Sequence, residues 1–407
     1  MYHLLELNHT SFLLGLGLVA AALRAGNMKE ITYKELLKLP LDSYTLVDTR
    51  DTVRTQYGTI PGSLHIEEKE LKKEMESYAL TLSPGKKLVL FCQNGIHTMA
   101  LQEELEKRGR DAYSLEEGYV SYLRFLIENE MDEETREKAE LSIRKKFHKE
   151  LFTPFAKACK VYDLIENGDH IAVCISGGKD SMVMAKLFQE IQSHRERDFR
   201  LTFLVMDPGY NKENRALLEH NARILGIPIT IFETRIFDAV DKVDKYPCYL
   251  CARMRRGYLY KKAKELGCNK IALGHHYDDV IETTLMSMLH SGQIQTMMPK
   301  LRSQNYEGME LIRPLYLIRE EDICRWRNYN DLHFLQCACH FTDTCTTCHE
   351  DGTTSSKRLE TKKLIKELKK TNPLVEANIF VSMSNVNVDA VLEYKKGDVR
   401  HNFLEEY

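Results

Sequence analysis

Short apolar runs ending in turn residues alternate along this chain with segments of helical spacing. Tyr44 to Val47 and Leu88 to Phe91 are β-branched or apolar and precede turn residues, which predicts strands. His97 to Arg108 and Val120 to Ile127 carry apolar positions three and four apart, which predicts helices. Between Met28 and about Glu130 this alternation describes a small α/β domain. Asp132 to Glu150 is charge-dense, with acids first and Arg144, Lys145 and Lys146 later. That order suits the helix dipole and predicts a solvated connecting helix. Alternation resumes near Phe152, with strands expected at Ile171–Ile175, Leu201–Met206, Ile229–Phe232 and Lys270–Leu273. Helical segments lie between them, so a doubly wound parallel sheet is the predicted architecture. The expected organisation is a helical extension (1–27), an α/β domain (28–130), a connecting helix (131–150), a second α/β domain (151–394) and a loose polar tail (395–407).

The chain has 407 residues, 43% hydrophobic and 29% charged, which fits two or three soluble domains with ample core material. A net charge of -3 gives no whole-chain attraction to phosphate, so any nucleic-acid site must be a local basic patch. Ser11 to Leu23 is the one apolar run near a terminus. It is about half the length a bilayer requires and lacks a basic lead-in, so neither a membrane span nor a signal peptide is expected. It is read as a packing helix or an over-extended start, with Met28 a natural beginning. Eleven cysteines, several clustered late in the chain, point to metal or sulfur chemistry rather than a disulfide framework.

The most informative segment is Ser176-Gly-Gly-Lys-Asp-Ser181, placed after the strand Ile171–Ile175 and before a helix expected to open at Met182. Gly177 and Gly178 let backbone N–H groups approach a phosphate without an intervening Cβ. The helix N-terminus adds oriented donors, Lys179 a counter-charge, and Ser176 and Ser181 hydroxyl groups. The spacing is not that of a Walker A loop. The loop resembles that of the PP-loop ATP pyrophosphatases, which cleave ATP between the α- and β-phosphates and adenylate a substrate oxygen.

Cys248-Tyr-Leu-Cys251 with Ala252-Arg-Met-Arg-Arg-Gly257, then Ala272-Leu-Gly-His-His-Tyr-Asp-Asp279, then Ile312-Arg-Pro-Leu315 extend that likeness. Over roughly Phe147 to Val391 the chain resembles the tRNA 2-thiocytidine synthetase (TtcA-like) family. The resemblance implies adenylation of a cytidine C2–O in tRNA, replacement of that oxygen by sulfur, and a 4Fe-4S cluster on three cysteines. Gly274, His275 and Asp278 fall at the carboxyl end of a parallel strand, where open α/β sheets bind ligands. Helix capping is the plainer reading of His275 and His276. Asp207 ends another strand and is a candidate for the adenosine portion; Asp180 or Asp279 are candidates to hold Mg²⁺. Arg253 to Lys262 holds five basic residues and no acid, a candidate grip on RNA phosphates or simply a solvated face.

Cys248 and Cys251 have metal-ligand spacing and need a third partner. The resemblance makes Cys337, which follows the apolar run Phe334-Leu335-Gln336, the expected one, with Cys339, Cys345 and Cys348 as alternatives; a zinc site on Cys248, Cys251, Cys345 and Cys348 is the rival. In the first domain, Leu46-Val-Asp-Thr-Arg50, Gly58-Thr-Ile-Pro-Gly-Ser63 and Val89-Leu-Phe-Cys-Gln-Asn-Gly95 resemble a rhodanese domain over about Met28 to Glu128. That resemblance makes Cys92 the candidate persulfide carrier and Gly95 the residue permitting a tight loop. Two positions depart from the family: His97 stands where an arginine usually closes the loop, and the L-x-G-G turn reads Leu115-Glu-Glu-Gly118. An inert Cys92 in a degenerate regulatory domain is the alternative.

The combined expectation is a cytoplasmic ATP-dependent tRNA sulfurtransferase with Cys92, Lys179 and Asp180 as candidate catalytic residues. ATP, Mg²⁺ and a 4Fe-4S cluster are the expected cofactors. Expected partners are tRNA and a persulfide or thiosulfate donor such as a cysteine desulfurase, with no membrane and with a homodimer left open. Rival readings are a PP-loop enzyme acting on a small molecule and a non-catalytic zinc-binding, nucleotide-dependent regulator.

Overall fold

A computed structural model describes residues 29–55, 58–76, 85–129, 132–236, 247–335 and 357–406. The described chain separates into two compact units. The first holds residues up to 133 together with 211–224 and 331–335; the second holds the remainder. The apolar run Ser11 to Leu23 and the segment containing Cys337, Cys339, Cys345 and Cys348 lie outside the described residues.

The first unit is built from β1 (Glu30–Ile31), α1 (Tyr33–Leu36), β2 (Tyr44–Asp48), α2 (Thr52–Thr55) and β3 (Leu64–His65), followed by α3 (Glu68–Glu76), β4 (Lys87–Phe91), α4 (Ile96–Lys107), β5 (Ala112–Leu115) and α5 (Gly118–Asn129). Its five strands form a parallel sheet in the order β1-β5-β4-β2-β3. Side chains alternate across the sheet, and both faces are covered. Leu46, Val89 and Phe91 join Ile31, Leu36 and Tyr119 on one face. Their immediate neighbours Val47, Leu88 and Leu90 join Leu71, Leu101 and Leu105 on the other. This is why the strands read as unbroken apolar runs rather than alternating ones. Each such side chain contributes roughly 1.5–3 kcal/mol by leaving water. The segment 331–335 belongs to this unit. His333 is buried, with Nδ1 2.8 Å from the Tyr119 hydroxyl, and its carbonyl accepts from Asn221 Nδ2 at 2.8 Å.

The second unit begins with α6 (Asp132–Arg144), a π-turn (His148–Phe152) and α7 (Thr153–Val161). The connecting helix expected over 131–150 therefore ends six residues early, and Phe147 is buried instead of solvated. Trp326 explains the anchorage: its Nε1–H donates to Ser142 Oγ at 3.0 Å, which fixes α6 onto the core. The sheet comprises β6 (His170–Ile175), β7 (Arg200–Asp207), β8 (Ile229–Glu233), β9 (Lys270–Ala272), β10 (Lys300–Arg302) and β11 (Glu310–Ile312), in the order β10-β11-β9-β6-β7-β8. Five strands are parallel; four of them match the expected apolar runs, β11 is an addition, and β10 adds an antiparallel edge. Strand order runs outward from β6 to β8 and then resumes at β9 on the other side of β6. That reversal opens a crevice at the carboxyl ends of β6 and β9, where α/β sheets take ligands.

The helices that complete the described chain are α8 (Lys179–Ser193), α9 (Lys212–Ile224), α10 (Pro247–Glu265), α11 (Tyr277–Ser291), α12 (Glu320–Tyr329), α13 (Lys357–Thr371) and α14 (Val375–Ser382). The tail expected to be loose from 395 instead forms an antiparallel hairpin, β12 (Glu393–Lys396) with β13 (Val399–Asn402). Gly397, with φ of 66°, makes the tight turn that a polar composition alone did not reveal.

Candidate active site

At the end of β6 the backbone turns through Gly177, whose φ of 83° is a left-handed conformation that a side chain would strain. Helix α8 then opens at Lys179, three residues before the expected start, with Gly178 as its extended N-cap. The loop is internally laced: Ser176 N–H and its hydroxyl both donate to Ser181 Oγ, at 3.1 and 3.2 Å, and Ser181 Oγ donates to the Gly178 carbonyl at 2.9 Å. These bonds preorganise the turn, so the N–H groups of the first helical turn face outward as an anion cradle.

Gly274 follows β9 and braces the same loop. A Cβ there would lie 3.2 Å from Asp180 C and from Ser181 N, closer than ordinary van der Waals contact. The pairing of β6 with β9 thus brings two separate motifs together at the switch point.

Lys179 is only 4% exposed. Its Nζ is 3.1 Å from Asp180 and 3.1 Å from Glu320 Oε1, so a buried ammonium sits between two carboxylates. Asp180 Oδ1 is buried and within ion-pair range of Lys179 (3.1 Å) and His276 (3.9 Å), yet accepts no hydrogen bond among the described residues. Glu320 Oε2 also accepts from Lys362 at 2.6 Å, and the Glu320 N–H donates to Asp278 Oδ2 at 2.7 Å. Burial opposes the charge on Glu320, but Lys179 and Lys362 outweigh it and hold the carboxyl down at about 2.

His276 is the N-cap of α11. It forms a reciprocal capping box with Asp279, whose Oδ2 accepts the His276 N–H at 3.0 Å. Capping therefore accounts for His276 but not for His275, whose Nδ1 is buried with no partner among the described residues. Burial pushes His275 down to about 4, with Arg313 and Arg358 adding to the effect. Asp279 also pairs with Arg358 at 3.0 Å. Burial works against its charge, but His276 and Arg358 hold it below the ordinary carboxylate value. Asp207 stands at the end of β7, where its Oδ1 accepts from Gly209 N and Tyr210 N at 2.8 and 2.7 Å. That oxygen builds the turn after the strand, a structural duty the adenosine expectation did not include.

Cys248 and Cys251 are the second and fifth residues of α10, about one turn apart. Further along, Arg253, Arg256 and Lys261 are exposed, while Leu259, Tyr260 and Ala263 pack into the core beneath β6 and β9. The basic run is thus the outward part of a helix anchored by its apolar side.

In the first unit, Cys92 follows β4 and is 5% exposed. Gly95, with φ of 84°, is the N-cap of α4, as the tight-loop expectation requires. Thr98 Oγ1 approaches Cys92 Sγ at 3.8 Å, and Tyr119 N–H donates to the Cys92 carbonyl at 2.9 Å. His97 is exposed. Arg50 is a buried cation of this unit, spent on Asp48 (2.6 Å), the Gly58 carbonyl (2.8 Å) and the face of Tyr119 (3.8 Å). Where the usual turn has glycine, Glu117 adopts φ of 56° and Gly118 follows at 55°.

Sequence reasoning brought Ser176–Ser181, Gly274 and Asp279 to one place but missed Glu320, Lys362 and Arg358. A signal for Glu320 existed: Glu320, Glu321 and Asp322 crowd the first turn of a helix just after Ile312-Arg-Pro-Leu315. Helix-dipole chemistry accounts for such acids without a ligand, so the pattern alone did not single one out. For Lys362 and Arg358, many residues from the loop in sequence, no spacing rule applies.

Two family models match the chain, a PP-loop domain over residues 144–339 and a rhodanese-like domain over 32–124. The tRNA-cytidine(32) 2-sulfurtransferase of Anaeromyxobacter dehalogenans (strain 2CP-C) is 33% identical over 244 residues, covering 59% of this chain and 80% of that protein. The protein of the same name from Citrifermentans bemidjiense is 32% identical over 241 residues, covering 58% and 90%. Among solved structures, the U34-tRNA thiolase NcsA from Methanococcus maripaludis with its [4Fe-4S] cluster is 21% identical, with a TM-score of 0.46, covering 60% of this chain and 80% of that one.

Proposed function

This chain belongs to the tRNA-cytidine(32) 2-sulfurtransferase family, and we propose that it is an ATP-dependent tRNA sulfurtransferase that adenylates a cytidine C2–O and replaces that oxygen by sulfur. The observation that carries the reading is the laced Ser176–Ser181 loop, braced by Gly274 at the switch point, with Lys179 buried at its mouth. The N–H groups and Lys179 bind the polyphosphate of ATP and take up charge as the bond between α- and β-phosphates breaks. The base oxygen attacks the α-phosphorus; pyrophosphate leaves with the bonding pair. Of the two Mg²⁺ candidates, Asp180 is the better suited, because Asp279 is already engaged by His276 and Arg358. The exposed basic residues of α10 supply a surface for the tRNA backbone.

A 4Fe-4S cluster would be held by Cys248, Cys251 and Cys337, and would offer an open iron for sulfide beside the activated base. Cys248 and Cys251 lie three residues, about one turn, apart at the start of one helix, which suits paired ligands. Cys92, in the loop that leads into α4, is assigned the persulfide carrier role, charged by a thiosulfate or cysteine desulfurase donor, with a thiol reductant supplying the two electrons that release its outer sulfur as sulfide. No helix among the described residues is long and apolar enough to cross a membrane; a cytoplasmic setting is the reading adopted.

The test is nucleoside analysis of tRNA incubated anaerobically with the protein, ATP, Mg²⁺ and a sulfur donor. Appearance of 2-thiocytidine with one pyrophosphate per sulfur supports the assignment. Pyrophosphate release at full rate without RNA would point to a small-molecule substrate instead. In the same assay Cys92→Ser should abolish persulfide loading, and full thiolation from thiosulfate by that variant would remove the carrier role.

A further inference from the structure

Glu320 contacts the ammonium that the phosphate loop depends on, and neither the loop motif nor the capping of α11 accounts for it. Four observations define its situation. Lys179 is almost wholly buried, and its Nζ lies 3.1 Å from Glu320 Oε1. The second carboxylate oxygen is held by Lys362 at 2.6 Å. The backbone of Glu320 is fixed by its N–H bond to Asp278. Arg319, the N-cap of α12, is itself clamped by Glu376 and Asp278, each at 2.9 Å, so the start of this helix is anchored from two sides.

We propose that Glu320 is a positioning residue: a displaceable counter-ion that holds Lys179 at the loop mouth before ATP binds and competes with phosphate for it afterwards. The proposal rests on the reading of Ser176–Ser181 as the ATP site. A buried ammonium left unpaired carries a large desolvation cost, so the empty site needs an anion beside Lys179. Asp180 supplies one and Glu320 the other. When a polyphosphate enters, its oxygens take over Lys179, and Glu320 falls back on Lys362, a partner it already holds. The carboxylate opposes polyphosphate binding throughout, because like charges in a half-buried site repel. That opposition serves turnover: after ATP is cleaved, Glu320 reclaims Lys179 and helps expel pyrophosphate.

This predicts an inversion that structural damage would not produce. Titration calorimetry of the full chain with ATP, and separately with inorganic pyrophosphate, should show Glu320→Gln binding both about fivefold more tightly than the wild type. Pyrophosphate should inhibit the variant at correspondingly lower concentration, and kcat should fall. Glu321→Gln removes the same charge from the same helical turn and should bind like the wild type. Glu320→Ser, with a residue well suited to a helix start, gives a second route to the tightening should the amide variant not fold. Unchanged or weaker binding by the Glu320 variants, or equal tightening by Glu321→Gln, would overturn the proposal. Absence of any ATP binding by the wild type would overturn the phosphate-loop reading itself, and this inference with it.

Discussion

The two loops proposed to carry chemistry in this chain use one structural device and furnish it in opposite ways. Each follows a buried parallel strand, turns through a left-handed glycine and opens a helix: β6, Gly177 and α8 in one unit, β4, Gly95 and α4 in the other. Each is braced by a glycine after the neighbouring strand, Gly274 beyond β9 and Gly118 beyond β5. The difference lies in where positive charge is spent. At the phosphate loop Lys179 stands at the mouth with a displaceable partner. At the thiol loop Arg50 is consumed beneath the loop by Asp48, and Cys92 is met by the Thr98 hydroxyl instead. A helix N-terminus supplies partial charge to both, so the nearby side chains decide whether the site suits a polyanion or a single sulfur.

The largest effect should come from Lys179→Ala. Removing the buried cation at the loop mouth should lower ATP cleavage by about 10²- to 10³-fold, the range for loss of a preorganised charge donor. Persulfide loading of Cys92 should be unaffected; a parallel loss would mean the two sites do not act separately. Pyrophosphate release and alkylation of Cys92, measured on one preparation, decide this.

The bracing glycines sharpen the comparison further. A Cβ at Gly118 would lie 2.3 Å from the Cys92 carbonyl oxygen, at a φ that already disfavours side chains. Gly118→Ala should therefore destabilise the first unit by about 2–4 kcal/mol, read from its denaturant midpoint. The Gly274 contacts are at 3.2 Å, and its φ is not in the left-handed range. Gly274→Ala should leave the fold intact and cost about tenfold in kcat, because a loop displaced by a few tenths of an ångström mispositions its donors.

His275 gives the second unit a pH signature. Its folded-state value of about 4 lies below the ordinary histidine value, so the unfolded chain binds the extra proton between the two. Stability is complete above about pH 6.5 and falls toward pH 4, with a slope of at most about 1.4 kcal/mol per pH unit from this group. His275→Gln should flatten that window in acid-unfolding titrations; an unchanged profile would count against a buried neutral imidazole. The smallest effect concerns Glu117, whose φ of 56° is unfavourable for a non-glycine residue. Glu117→Gly should raise the stability of the first unit by about 0.5–1 kcal/mol, less whatever the Arg124 ion pair contributes.

Two of five strands in the first sheet and four of six in the second were legible in the sequence, because they read as continuous apolar runs between turn residues. Ile171–Ile175 and Leu88–Phe91 were placed within a residue of their observed bounds. The helix after the phosphate loop was set three residues late, since Lys179 and Asp180 look like loop until their backbone bonds are seen. The connecting helix stops at Arg144, short of the end of the charged run, and the buried Phe147 beyond it is masked in the sequence by its charged neighbours.

The sequence by itself determined the two strand–loop–helix turns and the left-handed glycines that permit them. Those properties are local: they depend on φ preferences and on spacing within a dozen residues. Only the tertiary structure decided what faces Lys179, that Gly274 braces the loop, that His276 caps a helix while His275 does not, and that 331–335 belongs with the first unit. Each of these joins residues far apart in the chain, through a strand order that reverses at β6 and through buried charges that must find partners. Charge neutralisation in a buried site depends on distance in space, and spacing along a chain does not encode it.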